Sequence, residues 1–187
     1  MIQILLQHNE NFTTAEMAQM AIECGYKWLI LPDNSLETLR EEAGDIVAMC
    51  REAGTILTIV DNADAARELG LHGVLLTKGH NPTAVREELG PEAIVGTEIS
   101  SIASVTALIN ADIDYFVIKP DEQALLIEAR TANIVANFVA DLSSADIDIE
   151  SMRQMKNEGA AGFMIGTQSF NHIEPEAALK SLLESFA

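Results

Sequence analysis

Basic residues are scarce in this chain: 11 lysines and arginines stand against 29 aspartates and glutamates, a formal charge of −18. Such a charge repels phosphate backbones and anionic lipid at long range, which argues against nucleic-acid binding and against membrane-surface attachment. Most of the acids lie in segments such as LETLREEAGD, AVREELGPE and SADIDIES, read here as solvated helix faces that serve solubility. Cysteine is also scarce. Cys24 and Cys50 sit in segments of helical pattern, AIECG and VAMCREAG, without the CxxC or Cys/His spacing of a metal or redox site, so both are expected to be buried free thiols. No apolar run approaches the roughly 20 residues needed to cross a bilayer. The first residues, MIQILLQHNE, lack a basic leader segment and a small-residue cleavage site, so they are read as a strand and not as a signal peptide. A cytoplasmic, reducing location is the simplest expectation.

What the chain has instead is alternation. At 187 residues and 48% hydrophobic content it is long enough for one domain with a sizeable core, and it contains no composition break. Eight short apolar runs read as strands: 2–7, 27–33, 55–61, 73–77, 93–98, 115–119, 134–141 and 162–167. Amphipathic stretches separate them and carry start and stop signals. TTAEMAQMAIECG opens on a threonine cap with a following Glu16 and closes on Gly25; the next opens on Asn34 or Ser35 and closes on Gly54. Near-continuous apolar strands between helices imply a parallel sheet buried on both faces, and eight such units imply a closed (β/α)8 barrel of the TIM type. An open doubly wound sheet is the alternative, but the chain has no GxGxxG after its first strand and no P-loop.

In a barrel the reactive face lies at the carboxyl ends of the strands. Here those ends are polar: Gln7 and His8, Asp33, Asp61, Thr77 with Lys78 and His80, Glu98, Lys119, Asp141, and Thr167 with Ser169. Helix capping accounts for part of this pattern, and Asp33, Asp61 and Asp141 are each as readily caps as pocket groups. The sixth end is the most unusual, because DYFVIKPD runs a buried strand straight into an amine followed by a proline.

The segments LTIVDNADAARELGLHGVLLTKGHNP, LGPEAIVGTEISS and ADIDYFVIKP resemble thiamine phosphate synthase and its thiazole tautomerase relatives over about residues 17–120, with EGAAGFMIGTQS echoing the last strand of that family. The resemblance implies a (β/α)8 barrel that joins hydroxymethylpyrimidine diphosphate to a thiazole phosphate with Mg2+. It places Asp61 at the magnesium-binding aspartate, with His80 where a second metal-binding aspartate is expected. Several positions depart from the pattern. Val60 replaces an asparagine, Ile30, Pro32 and Asn34 stand where Gln, Arg and Lys would grip the diphosphate, and Lys119 replaces a glycine. PDEQ replaces the Pro-Thr-x-Thr-Lys loop, and VADLSS lacks the paired glycines of the seventh strand. A phosphate cradle is then expected at Gly166 and Thr167 with Ser169, and Asp33, Thr77, Lys78 and Asp141 complete the expected substrate-binding set. The ligand implied is a small phosphorylated molecule, and the family's small barrels often pair as homodimers.

Three functions fit these residues. The chain is a thiamine phosphate synthase-like protein with an altered site. Or Lys119, beside Glu98, forms a Schiff base with a carbonyl substrate as in class I aldolases, which requires a lowered amine pKa. Or Lys119 pairs with Glu98 or Asp141 at the mouth of a non-catalytic, ligand-binding barrel.

Overall fold

Each apolar run becomes a strand because alternate side chains can be buried on both of its faces. In the computed structural model, which describes residues 1–77 and 80–186, eight strands close into one parallel barrel in sequence order. They are β1 (Ile2–Leu5), β2 (Trp28–Leu31), β3 (Ile56–Val60), β4 (Gly73–Leu76), β5 (Ile94–Ile99), β6 (Tyr115–Ile118), β7 (Phe138–Leu142) and β8 (Ala160–Ile165). The helices between and after them are α1 (Thr14–Glu23), α2 (Leu36–Ala53), α3 (Ala63–Leu69), α4 (Pro82–Leu89), α5 (Ile102–Leu108), α6 (Ala124–Thr131), α7 (Ile149–Glu158) and α8 (Pro175–Glu184). Pairing of Ile2 with Phe163 and of Ile4 with Ile165 closes the ring between β1 and β8. Among the described residues no helix is long and apolar enough to cross a membrane.

The period of two along each strand divides the core into two layers. Leu5, Trp28, Ile30, Leu75, Tyr115, Val117, Val139 and Met164 point into the barrel. Their neighbours Ile4, Leu29, Leu31, Val74, Phe116, Ile118 and Phe163 point outward against the helices, each fully buried Leu or Ile contributing roughly 1.5–3 kcal/mol. Each helix presents one apolar stripe to that outer layer; on α2 it is Leu39, Ala43, Ile46 and Cys50. Inside the barrel the Trp28 and Tyr115 rings meet edge to face at 5.3 Å, and the Trp28 Nε1–H donates to Thr58 Oγ1 at 3.1 Å. Gly96 makes room for this pair, since a Cβ there would lie 2.1 Å from the Tyr115 ring.

The helix signals are realised as local hydrogen bonds. Thr13 and Glu16 form a reciprocal capping box at the start of α1, Ser35 caps α2, and Gly54 closes α2 in the left-handed conformation. Cys24 and Cys50 are buried free thiols. Every strand end lies one or two residues from the sequence expectation, and the starts of β7 and β8 shift for identifiable reasons. Residues 134–137 do not belong to β7: Asn133 takes a positive φ of 54°, the Ile134 N–H bonds back to Ala129, and Val135 is 92% exposed. The apolar character of that stretch belongs to the turn leaving α6. β8 begins two residues earlier than expected, at Ala160, where a register shift opposite Phe138 and Val139 admits the extra residue.

Candidate functional site at the barrel mouth

The inward parity of the interior layer continues past the strand ends and selects what faces the mouth. Two residues beyond Leu5, Leu75, Val117 and Val139 stand Gln7, Thr77, Lys119 and Asp141, and two beyond Gly96 stands Glu98. These five polar groups line a cavity of about 380 Å³ at the carboxyl ends of the strands. Ser143 and Ser144, from the loop after β7, complete its wall, and Leu5, Val60, Leu75 and Met164 form its apolar floor. Four of the sequence-derived site residues, Thr77, Glu98, Lys119 and Asp141, therefore line one cavity.

Lys119 dominates the electrostatics of the mouth. Its Nζ lies 3.2 Å from Glu98 Oε2, with the Glu98 side chain only 9% exposed and that of Lys119 40% exposed. The hydrogen bond that Lys119 donates to Glu98 and then the negative charge of Glu98 raise the Lys119 pKa, burial opposes this, and Asp141 and Glu122 add to the rise. A Schiff-base lysine needs the opposite shift, toward a neutral amine at working pH. The carboxylates that face Lys119 favour its ammonium form, which speaks against the aldolase-type role expected as an alternative.

Asp61 and His80 also come together, but beside the cavity. Asp61 leaves β3 with a φ of 53°, a left-handed conformation that aspartate tolerates better than most residues. Its Oδ1 accepts the Thr77 N–H at 2.7 Å, its Oδ2 accepts the Thr77 hydroxyl, and His80 Nε2 lies 3.3 Å from Oδ1. This arrangement clamps the end of β3 to the end of β4. It does not fit Mg2+, which prefers about six oxygen ligands in near-octahedral geometry. Both Asp61 carboxylate oxygens are already engaged, and the neighbouring group is an imidazole nitrogen. Among the described residues no group of three or more His, Cys, Asp or Glu side chains is placed to hold a metal ion.

The remaining expected residues lie elsewhere. Lys78 is outside the described residues. Asp33 is exposed and does not line the mouth. It does not cap α2 either, because Ser35 does; Asn62 caps α3 and Asp148 caps α7, so Asp61 and Asp141 are also free of that task. Asp141 instead accepts the Ser143 N–H at 2.8 Å and so shapes the loop that carries Ser143 and Ser144. Gly166, Thr167 and Ser169 form a tight turn after β8 that does not line the cavity. The space a side chain would take at Gly166 is filled by the Ser143 carbonyl, 2.1 Å from an added Cβ, so this glycine serves close packing of two loops. The Thr167 hydroxyl donates to the His8 carbonyl at 3.3 Å, and Ser169 is buried with its hydroxyl oxygen shielded from solvent. Ser143 and Ser144 are absent from the sequence-derived set, although the strand-end rule extended two and three residues past Asp141 reaches them.

Residues 2–121 match the family model described as thiamine monophosphate synthase, a span that ends just past Lys119. The thiamine-phosphate synthase of Bacteroides fragilis is 30% identical over 122 residues, covering 64% of this chain and 60% of that protein. The matched segment thus spans about three fifths of that relative's length. The thiamine-phosphate synthase of Phocaeicola vulgatus is 22% identical over 202 residues, covering 97% of this chain and 96% of that protein. Among solved structures, a thiamine phosphate pyrophosphorylase from Pyrococcus furiosus superposes with a TM-score of 0.83 at 15% identity, over 98% of this chain and 94% of that one. KGPDC from Streptococcus mutans shares the barrel with a TM-score of 0.71 at 11% identity, over 98% of this chain and 95% of that one. Barrel, strand order and matched segment agree, and the chain belongs to the thiamine monophosphate synthase family.

Proposed function

We propose that this protein is a binding member of its family: the mouth takes a single phosphorylated pyrimidine or thiazole and does not join two substrates. The observation that carries this is the Lys119–Glu98 pair, which stands inside the cavity where the family pattern has a glycine. Lys119 is held as a cation and is exposed enough to turn from Glu98 toward a phosphate ester. The hydroxyls of Thr77, Ser143 and Ser144 and the Gln7 amide offer neutral hydrogen-bonding groups around a ring seated on the apolar floor. A volume of about 380 Å³ lies near the small end of ligand pockets, which suits one such molecule better than two.

A diphosphate is disfavoured at the same place. It carries more negative charge than the one ammonium among the described lining residues offsets, Glu98 and Asp141 add repulsion, and among those residues no arginine is present to grip it bidentately. Departure of a diphosphate needs that charge neutralised, and the Asp61 and His80 environment does not suit Mg2+. The test is paired. Calorimetric titration with thiazole phosphate should give one saturable site. The same protein incubated with hydroxymethylpyrimidine diphosphate, thiazole phosphate and Mg2+ should form no thiamine phosphate above a protein-free control. Steady product formation would overturn the proposal, as would the absence of any saturable binding.

A further inference from the structure

Asp141 is the unmatched charge of the mouth. The described residues that line the cavity include one ammonium, Lys119, and two carboxylates, Glu98 and Asp141. Glu98 pairs with Lys119 at 3.2 Å, and among the described residues no lysine, arginine or histidine pairs with Asp141. Its Oδ1 accepts the Ser143 N–H at 2.8 Å, whereas its Oδ2 has no hydrogen-bond partner among the described residues and is not shielded from solvent. Asp141 keeps the inward phase of β7 and lines the cavity wall, so that oxygen opens onto the ligand space. The loop that follows is pinned: Gln168 Nε2 donates to Leu142 O at 3.0 Å and to Ala145 O at 2.7 Å, on either side of Ser143 and Ser144. A fixed, partly buried carboxylate oxygen without a donor is a place for a ligand N–H, and a charged donor meets it most strongly.

We infer that the mouth selects zwitterions: phosphate monoesters whose ring carries a protonated amine, the phosphate meeting Lys119 and the amine meeting Asp141 Oδ2. This rests on the reading of the mouth as the ligand site with Lys119 at the phosphate, and it adds a second point of recognition. A phosphate on a neutral ring takes up Lys119 and leaves Asp141 as a repulsive neighbour. A phosphate on an aminated ring turns the same carboxylate into an attraction. Asp61 cannot take this part, because both of its oxygens are engaged by Thr77, and Glu98 faces the ligand through Lys119.

The experiment is calorimetric titration of the whole protein at neutral pH with benzyl phosphate and with para-aminomethylbenzyl phosphate, which differ by one charged donor, alongside thiazole phosphate. The aminated ester should bind about tenfold more tightly than benzyl phosphate, the effect of one charge-assisted hydrogen bond to a partly exposed carboxylate. Asp141→Asn keeps an oxygen for the Ser143 N–H and removes the charge, so it should weaken the aminated ester and tighten benzyl phosphate about twofold, opposite signs in one variant. Asp33→Asn removes the same charge at an exposed position outside the cavity and should leave the preference intact. Equal affinities of the two esters, or a preference that survives Asp141→Asn, overturns the inference; with saturable thiazole phosphate binding retained, either result leaves the mouth standing as the ligand site. Absence of binding by all three ligands overturns both.

Discussion

Asp61→Ala tests whether this carboxylate holds the barrel rim together. The substitution removes the acceptor for the Thr77 N–H at 2.7 Å and for the Thr77 hydroxyl, and it leaves alanine at a φ of 53°. Hydrogen bonds to a charged group contribute about 1.5–3 kcal/mol each when buried. The Asp61 side chain is 16% exposed, so water partly replaces what is lost and the pair is better taken at about 2 kcal/mol together. Holding alanine in the left-handed region adds about 1 kcal/mol. The sum, about 3 kcal/mol, corresponds to a fall in Tm of roughly 6–12 °C for a chain of this size. Asp61→Asn keeps a carbonyl for the Thr77 N–H and tolerates the backbone, so it should cost only about 1 kcal/mol. Urea unfolding of the three proteins, with and without Mg2+, measures both points. An alanine variant within about 0.5 kcal/mol of wild type would refute the clamp. A stabilisation by Mg2+ that both variants lose would show that Asp61 is a metal ligand after all.

Other outcomes follow from the same structure. Gln3 is fully buried with neither amide atom paired, and the Tyr115 hydroxyl is likewise unpaired, so Gln3→Met and Tyr115→Phe should each leave stability unchanged or raise it by about 1 kcal/mol in urea unfolding. Gly166→Ala should destabilise by about 2 kcal/mol because its Cβ meets the Ser143 carbonyl, whereas Gly44→Ala, mid-helix in open space, should stabilise by about 0.5–1 kcal/mol; thermal melts separate the two. Glu98 raises the Lys119 pKa above its ordinary 10.5, so the stability contributed by the pair is fully present below that value and is lost as pH rises through the folded-state pKa. Alkaline unfolding of Lys119→Met should lack this component and depend less steeply on pH above about 10.5.

The architecture was legible because each unit carried its own signals. Thr13 with Glu16, Ser35 and Gly54 delimit helices by chemistry that needs no tertiary context, and the apolar runs between them admit few arrangements other than a parallel closed sheet. The mouth was legible to the extent that parity carried it: Thr77, Glu98, Lys119 and Asp141 keep the inward phase of their strands. Where the chain leaves strand geometry, that phase is lost. Asp33 stands beyond Pro32 and is exposed, and Ser169 sits buried in a tight turn away from the mouth. Gly166 looked like a phosphate cradle because glycine permits close approach, but sequence does not say what approaches, and here it is the Ser143 carbonyl. Ile134 and Val135 looked like strand because they are apolar and β-branched, yet the positive φ of Asn133 spends them on a turn.

The most direct test of the account is thiazole phosphate affinity in two variants of the central pair. If Lys119 meets the ligand's phosphate and Glu98 competes for it, Lys119→Met should weaken binding about tenfold or more, and Glu98→Gln, which releases the lysine, should tighten it. Opposite signs in the two titrations support the mouth as the ligand site with Lys119 as its cation. Affinities that stay at the wild-type value in both variants would contradict it.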